Sequence, residues 1–226
     1  ALLAGAPLAL AQALGVAAAM ILLAASVAVL QRLVAPFTLL LAIAALCWLV
    51  GNALWFHGAE VHLAVPWWLA FLVLTIAGER LELTRFLPTP AAARRLFLVI
   101  VAGVLAGATL SVFREEAGLM LFAASLLALA AWLLRHDIAR RNARQAGLTR
   151  FIALCLLSGY AWLVLAGLLG LAGGLLPGHP WRDASLHAIG LGFVFSMILG
   201  HALIIFPAVA RVRIPYHAVF YLPLLA

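Results

Sequence analysis

Seven apolar runs, each about twenty residues long, limit the fold of this chain more than any other feature. An α-helix of about twenty residues, rising roughly 1.5 Å per residue, crosses the hydrocarbon core of a bilayer. The runs are rich in Leu and Ala and do not alternate with polar residues, which disfavours β-strands. They cover residues 5–30, 34–56, 63–79, 95–113, 117–134, 149–175 and 184–210.

The composition leads to the same class of protein. Of the 226 residues, 68% are hydrophobic and only 9% are charged, which excludes an ordinary soluble domain. We predict an all-α, polytopic transmembrane helix bundle that forms a single domain over residues 1–226. The chain opens on Ala1 and a fresh apolar run begins at His217, so we expect a fragment of a longer chain that includes the start of an eighth span.

The basic residues, all fourteen of them arginines, predict the orientation of the spans. Twelve fall in alternate connections, whereas the connections between those hold only Arg114 and Arg182. Basic residues stay on the cytoplasmic side during insertion, so the N-terminus of this multi-pass protein is expected outside. The basic run RHDIARRNAR is then expected to form a solvated cytoplasmic loop, with Asp137 supporting Arg141 four residues later, and not a site for nucleic acid or lipid headgroups. The lipid bilayer is the expected partner of the chain as a whole, and nucleic acid is not.

Two histidines, His187 and His201, interrupt a stretch that contains no Arg, Lys or acidic residue. An imidazole in hydrocarbon needs a hydrogen-bond partner, a charge or a metal in place of water. Their spacing of fourteen residues is about 1400° on an α-helix, within about 40° of four turns, which predicts one shared face at two depths. Two further histidines, His57 and His62, lie at the outer junction of the second and third spans, within reach of His187.

We therefore predict a metal site with His187 and His201 as ligands and His57 and His62 as further candidates. Neutral imidazole suits copper and haem iron, and the scarcity of carboxylates within the spans disfavours a hard cation. The spacing also matches helices that hold two stacked haems, but no other span carries the matching histidine pair. Motifs of soluble enzymes, such as a Walker loop or HExxH, are absent from the sequence.

Glycines in the last two runs predict close helix packing. Gly159, Gly167, Gly192 and Gly200 are spaced so that small residues face a neighbouring helix, and small residues let helices approach closely in lipid. The space left by the missing side chains of these glycines would also suit the edge of a flat cofactor. The sequence alone does not separate these two uses.

Residues 147–209 resemble the C-terminal half of the NnrS family of multi-span bacterial membrane proteins. The likeness is carried by a Gly-Tyr-x-Trp helix and by a following helix that opens with Leu-His-Ala and ends on Gly-His. In this chain the matching residues are Gly159, Tyr160, Trp162, Leu186, His187, Ala188, Gly192, Met197, Gly200 and His201.

The resemblance implies binding of haem or copper and a role in nitric oxide handling or nitrosative stress, alongside a respiratory or redox partner. It assigns the cofactor to His187 and His201, with Tyr160 as a neighbouring hydrogen-bond donor. Two alternatives stay open on the residues themselves. One is a transporter or channel-like carrier with a histidine-lined path and a break at Pro207, and the other is a scaffold subunit without a ligand.

Overall fold

The structure, a computed structural model, describes residues 7–84, 90–212 and 216–225. These residues form helices and no strand, and seven of the helices are long and apolar enough to cross a membrane. The all-α prediction with seven spans is therefore confirmed. The α-helices are α1 Leu8–Arg32, α2 Pro36–Phe56, α3 Val61–Thr84, α4 Ala91–Leu110, α5 Glu115–His136, α6 Ala139–Asn142, α7 Gly147–Leu169, α8 Arg182–His187, α9 Ser196–Ala210 and α10 Leu222–Leu225.

Two of the spans contain π-helix, in which each turn is wider than in an α-helix. The end of α7 continues as a π-helix over Gly170–Gly174, and the π-helix Ala188–Phe195 joins α8 to α9. The sixth and seventh spans therefore run over Gly147–Gly174 and Arg182–Ala210. π-Helical turns are rare and are found mostly at functional sites.

Two helices are longer than the apolar runs because each includes charged residues at one end. The predicted third span stopped at residue 79, but α3 continues through Arg80 and Glu82 to Thr84. The predicted fourth span began at residue 95, but α4 begins at Ala91. Backbone hydrogen bonds continue a helix past its apolar stretch, so apolar content marks the hydrocarbon region and not the helix ends.

The chain divides into two compact units, which are described separately. The first comprises Ala1–Glu82 with Val101–Phe122, and the second comprises Leu83–Ile100 with Ala123–Ala226. In the first unit, a Cβ added at Gly107 would lie 2.6 Å from the backbone nitrogen of Phe122, so the α4 and α5 backbones nearly touch. Only glycine allows that approach.

A side-chain hydrogen bond joins α1 to α2 within the first unit, and a buried amide of α2 lies beside α1. The Gln12 amide donates to the Trp55 carbonyl oxygen at 2.8 Å, and the buried Asn52 amide donates to the Trp48 carbonyl oxygen at 2.8 Å. A Cβ at Gly15 would lie 2.8 Å from the Asn52 side-chain oxygen. These satisfied polar groups fix the register of the two helices in a medium that offers no water.

In the second unit, α7 packs closely along the last span, as the glycine pattern predicted. A Cβ at Gly159 would lie 2.5 Å from the Met197 methyl carbon, and one at Gly192 would lie 2.4 Å from Trp162 Cγ. Close packing between the last two spans is therefore confirmed.

The C-terminal segment folds back against the start of α7. A 3-10 turn, Ala218–Tyr221, leads into α10, and the ring of the buried Phe151 lies 5.0 Å from the ring of Tyr221, between centroids. A side-chain hydrogen bond with Tyr216 raises the pKa of Tyr221. The start of an eighth span in this segment stays a prediction.

Candidate functional site

His187 is the last residue of α8, and its ring is anchored to its own helix. The distance from Nδ1 to the Asp183 carbonyl oxygen is 2.6 Å, and the residue is exposed. A carbonyl oxygen only accepts, so Nδ1 carries the proton. In the neutral ring, Nε2 then holds the lone pair, which is the electron pair that a metal would bind.

His201, one turn into α9, has the same local geometry. Its Nδ1 lies 2.6 Å from the Met197 carbonyl oxygen, and the residue is half-buried. The preceding residue, Gly200, packs on α7, where an added Cβ would lie 3.2 Å from Cys155 Cβ. Both histidines thus direct Nδ1 to the carbonyl four residues earlier, which fixes the same tautomer in each.

The two rings do not share a face, contrary to the prediction from their spacing. Along the last span the packed positions recur every four residues, at Ala188, Gly192, Ser196 and Gly200. His187 belongs instead to an exposed stripe with Leu191 and Phe195, whereas His201 borders the packed side. The cause is the π-helix between them, because a turn closed by i→i+5 hydrogen bonds contains more residues than the 3.6 assumed.

Tyr160 lies inside the second unit and is fully buried. Its neighbour Gly159 contacts Met197, whose carbonyl oxygen is bonded to the His201 ring. The predicted donor is therefore on the α7 turn that packs near His201. Tyr160 is buried, whereas His187 is exposed.

His57 and His62 belong to the first unit and differ in surroundings. His57 follows the last residue of α2, is exposed, and lies edge-on to Phe56 at 5.6 Å between ring centroids. In His62, Nδ1 lies 3.1 Å from Glu60 Oε2 and Nε2 lies 3.3 Å from Glu115 Oε1. Each ring nitrogen of His62 therefore faces a carboxylate oxygen, one from Glu60 and one from Glu115.

Among the described residues, no group of three or more His, Cys, Asp or Glu side chains is arranged to hold a metal ion. His57 and His62 lie in one compact unit, and His187, His201 and Tyr160 lie in the other. Within the second unit, His187 and His201 lie on different faces of the last span. In the described part of the chain, an imidazole could therefore bind a metal only as an individual ligand, since no group of three or more such side chains could bind one ion together.

Four residues with structural contacts or burial that the sequence did not predict are Glu60, Glu115, Arg182 and Arg80. Glu60 and Glu115 contact His62, and a guanidinium nitrogen of Arg182 donates to the Leu175 carbonyl oxygen after the π-helical end of the sixth span. Arg80, counted as a loop residue, is buried within α3 with 4% of its surface exposed. One pattern in the sequence could have drawn attention to Glu115. It stands with Glu116 in the first turn of a helix, where the helix dipole favours acidic residues.

The seven spanning helices and their apolar surfaces define a polytopic α-helical membrane protein. The model of a family described as a domain of unknown function, DUF8744, matches residues 1–226. The chain belongs to this family. No curated protein and no solved structure matches it.

Proposed function

We propose that this protein is an NnrS-like integral membrane protein that binds haem, or copper, through the Nε2 atoms of His187 and His201. The role we propose is handling of nitric oxide or nitrosative stress in a bacterial inner membrane, together with a redox partner. The observation that carries the proposal is the matched pair of 2.6 Å contacts from Nδ1 to a backbone carbonyl oxygen.

Metal-binding histidines usually make this hydrogen bond through the ring nitrogen that does not bind the metal. A ligating imidazole nearly always donates its other ring N–H to a carbonyl or carboxylate, which fixes the ring orientation and makes the ligating nitrogen more basic. His187 and His201 both meet this condition through their own helix, with Asp183 and Met197 as acceptors. The donor chemistry therefore fits a haem iron or a copper ion.

The ligand count favours haem over copper. A copper ion bound by protein generally takes three or more side-chain ligands, whereas a haem iron receives most of its ligands from the porphyrin and needs only one or two from the protein. The described residues contain no group of three ligands, and the two histidines lie on different faces. Each histidine would hold a separate haem as its sole protein ligand, and a haem held in this way would supply a binding site for a small diatomic molecule.

The experiment is an absorption spectrum of the protein purified in detergent from cells supplied with haem precursor and copper. We expect a Soret band that weakens in His187→Ala and in His201→Ala and is retained in His136→Ala, the control outside the proposed site. Metal analysis for iron and copper measures the stoichiometry. Circular dichroism and gel filtration verify that each variant is folded.

A colourless, metal-free wild-type preparation would contradict the proposal. So would a Soret band that both histidine substitutions leave intact, because the haem would then have other ligands.

A transporter is the second candidate, and the π-helices favour it. Widened turns in the sixth and seventh spans leave backbone carbonyls less regularly bonded, as in the interrupted helices of carriers. Metal-free protein combined with solute flux in proteoliposomes that His201→Ala abolishes would support this function over haem binding.

A further inference from the structure

Contacts within the second unit bring several arginines to one of its ends. The Trp132 indole N–H donates to the Ala93 carbonyl oxygen at 2.9 Å, and the Trp132 and Phe97 rings lie 4.7 Å apart between centroids. The end of α5 therefore lies beside the start of α4. Arg94 and Arg95 share this end of the unit with Arg135.

The start of α7 and the end of α9 lie at this same end. The α5–α7 connection is short, so α7 begins where α5 ends, and Gly200 packs against Cys155 in the first turns of α7. We call the exposed arginines of this end the arginine surface. It comprises Arg94, Arg95, Arg135, Arg140, Arg141, Arg144, Arg150 and Arg211.

Within the described part of the second unit, carboxylates are few. The described part of the second unit contains two acidic residues, Asp137 and Asp183. Asp137 is buried, and its carboxylate accepts the Ala139 backbone N–H at 2.7 Å. Asp183 lies in the first turn of α8, at the start of the last span, whereas Arg211 follows that span's end. The arginine surface thus combines eight guanidinium groups with one buried carboxylate.

The centre of the arginine surface is an ordered segment. Buried Ala139 and the Asp137 cap hold α6 against the unit, and successive backbone hydrogen bonds continue to Gln145. Arg140, Arg141 and Arg144 project from this segment and are exposed. An ordered backbone lowers the entropy that these side chains lose when they bind a ligand.

We propose that the arginine surface binds the phosphate groups of anionic phospholipids in the leaflet at this end of the spans. Guanidinium groups bind phosphate through two parallel hydrogen bonds. Directly after Arg94 and Arg95, α4 exposes Leu96, Leu98 and Val99. A bound lipid can therefore place its phosphate on the arginines and its acyl chain on this apolar face. A soluble polyanion has no group for the second contact.

The test uses the whole chain in bilayer nanodiscs, with spin-labelled phosphatidylglycerol and phosphatidylcholine as probes. We expect wild-type protein to prefer phosphatidylglycerol by roughly fivefold, the factor that one arginine contributes near an anionic surface. The preference should decrease in the triple variant Arg140→Gln, Arg141→Gln, Arg144→Gln without disappearing, because five arginines of the surface remain, and it should weaken in high salt.

Two controls separate charge from structure. The corresponding triple Lys variant keeps the charge and should keep most of the preference, and Arg114→Gln, which lies in the other unit, should keep all of it. An unchanged preference in the triple Gln variant would overturn the proposal. Equal competition by soluble glycerol 3-phosphate, or by an RNA oligonucleotide, would also overturn it, since the surface would then recognise a free phosphate or a nucleic acid.

Discussion

At the scale of single residues, the imidazoles show what spacing can and cannot predict. Their isolation in an apolar helix correctly indicated that each ring needs a partner, and each Nδ1 has one in a backbone carbonyl. The prediction that His187 and His201 share one face was wrong, because the helix between them is not α-helical throughout. Ligation itself stays a prediction, and it concerns Nε2 in both residues.

Two glycines in the π-helix of the last span provide a matched test of close packing. A Cβ at Gly192 would lie 2.4 Å from Trp162 Cγ, whereas a Cβ at Gly190 would meet nothing within 4 Å. We expect Gly192→Ala to lower the free energy of unfolding by about 1–3 kcal/mol, because the large indole must move. Gly190→Ala should change it by less than about 0.5 kcal/mol. Unfolding of the purified protein in increasing SDS measures both, and equal effects would contradict the packing described.

At the scale of helices, apolar content predicted all seven spans but not how their ends are held. Charged end residues extend α3 and α4 beyond the apolar runs, and Arg182 caps the end of the sixth span. The π-helices had no compositional signal, since residues 188–195 are as apolar as any α-helical stretch. Their wider turns depend on what packs against them, including Trp162 over Gly192.

The contact between His62 and Glu115 links the first residues of α3 and α5, and its strength can be measured by a double-mutant cycle. Because His62 and Glu115 are partly exposed, we expect a coupling of about 0.2–1 kcal/mol between His62→Ala and Glu115→Gln. The neighbouring Glu116→Gln should show no coupling with His62→Ala, since no contact joins that pair in the described structure. A coupling with Glu116 as large as that with Glu115 would show a general field effect and not a specific contact. Free energies of unfolding at low salt provide the four values.

At the scale of the whole molecule, the predicted orientation places the N-terminus outside. Both native cysteines, Cys47 and Cys155, are buried, so introduced cysteines can be labelled against a low background. A membrane-impermeant maleimide should react with Glu116→Cys in intact spheroplasts and with Arg141→Cys only after lysis. The reverse pattern would invert the topology, and it would move the arginine surface to the other leaflet.

The sequence by itself determined the class of the protein, the seven spans and the close packing of the last two spans. The length of an apolar run decides whether a helix can cross the bilayer, and small residues decide how closely two helices can pack in lipid; both are local properties of the sequence. The family model adds membership in DUF8744 over the whole chain. Only the tertiary structure decided that His62 is held by Glu60 and Glu115, that Arg80 is buried, and that the two membrane histidines face different ways. Such features depend on residues distant in sequence and on the local winding of a packed helix, and neither is encoded in apolar periodicity.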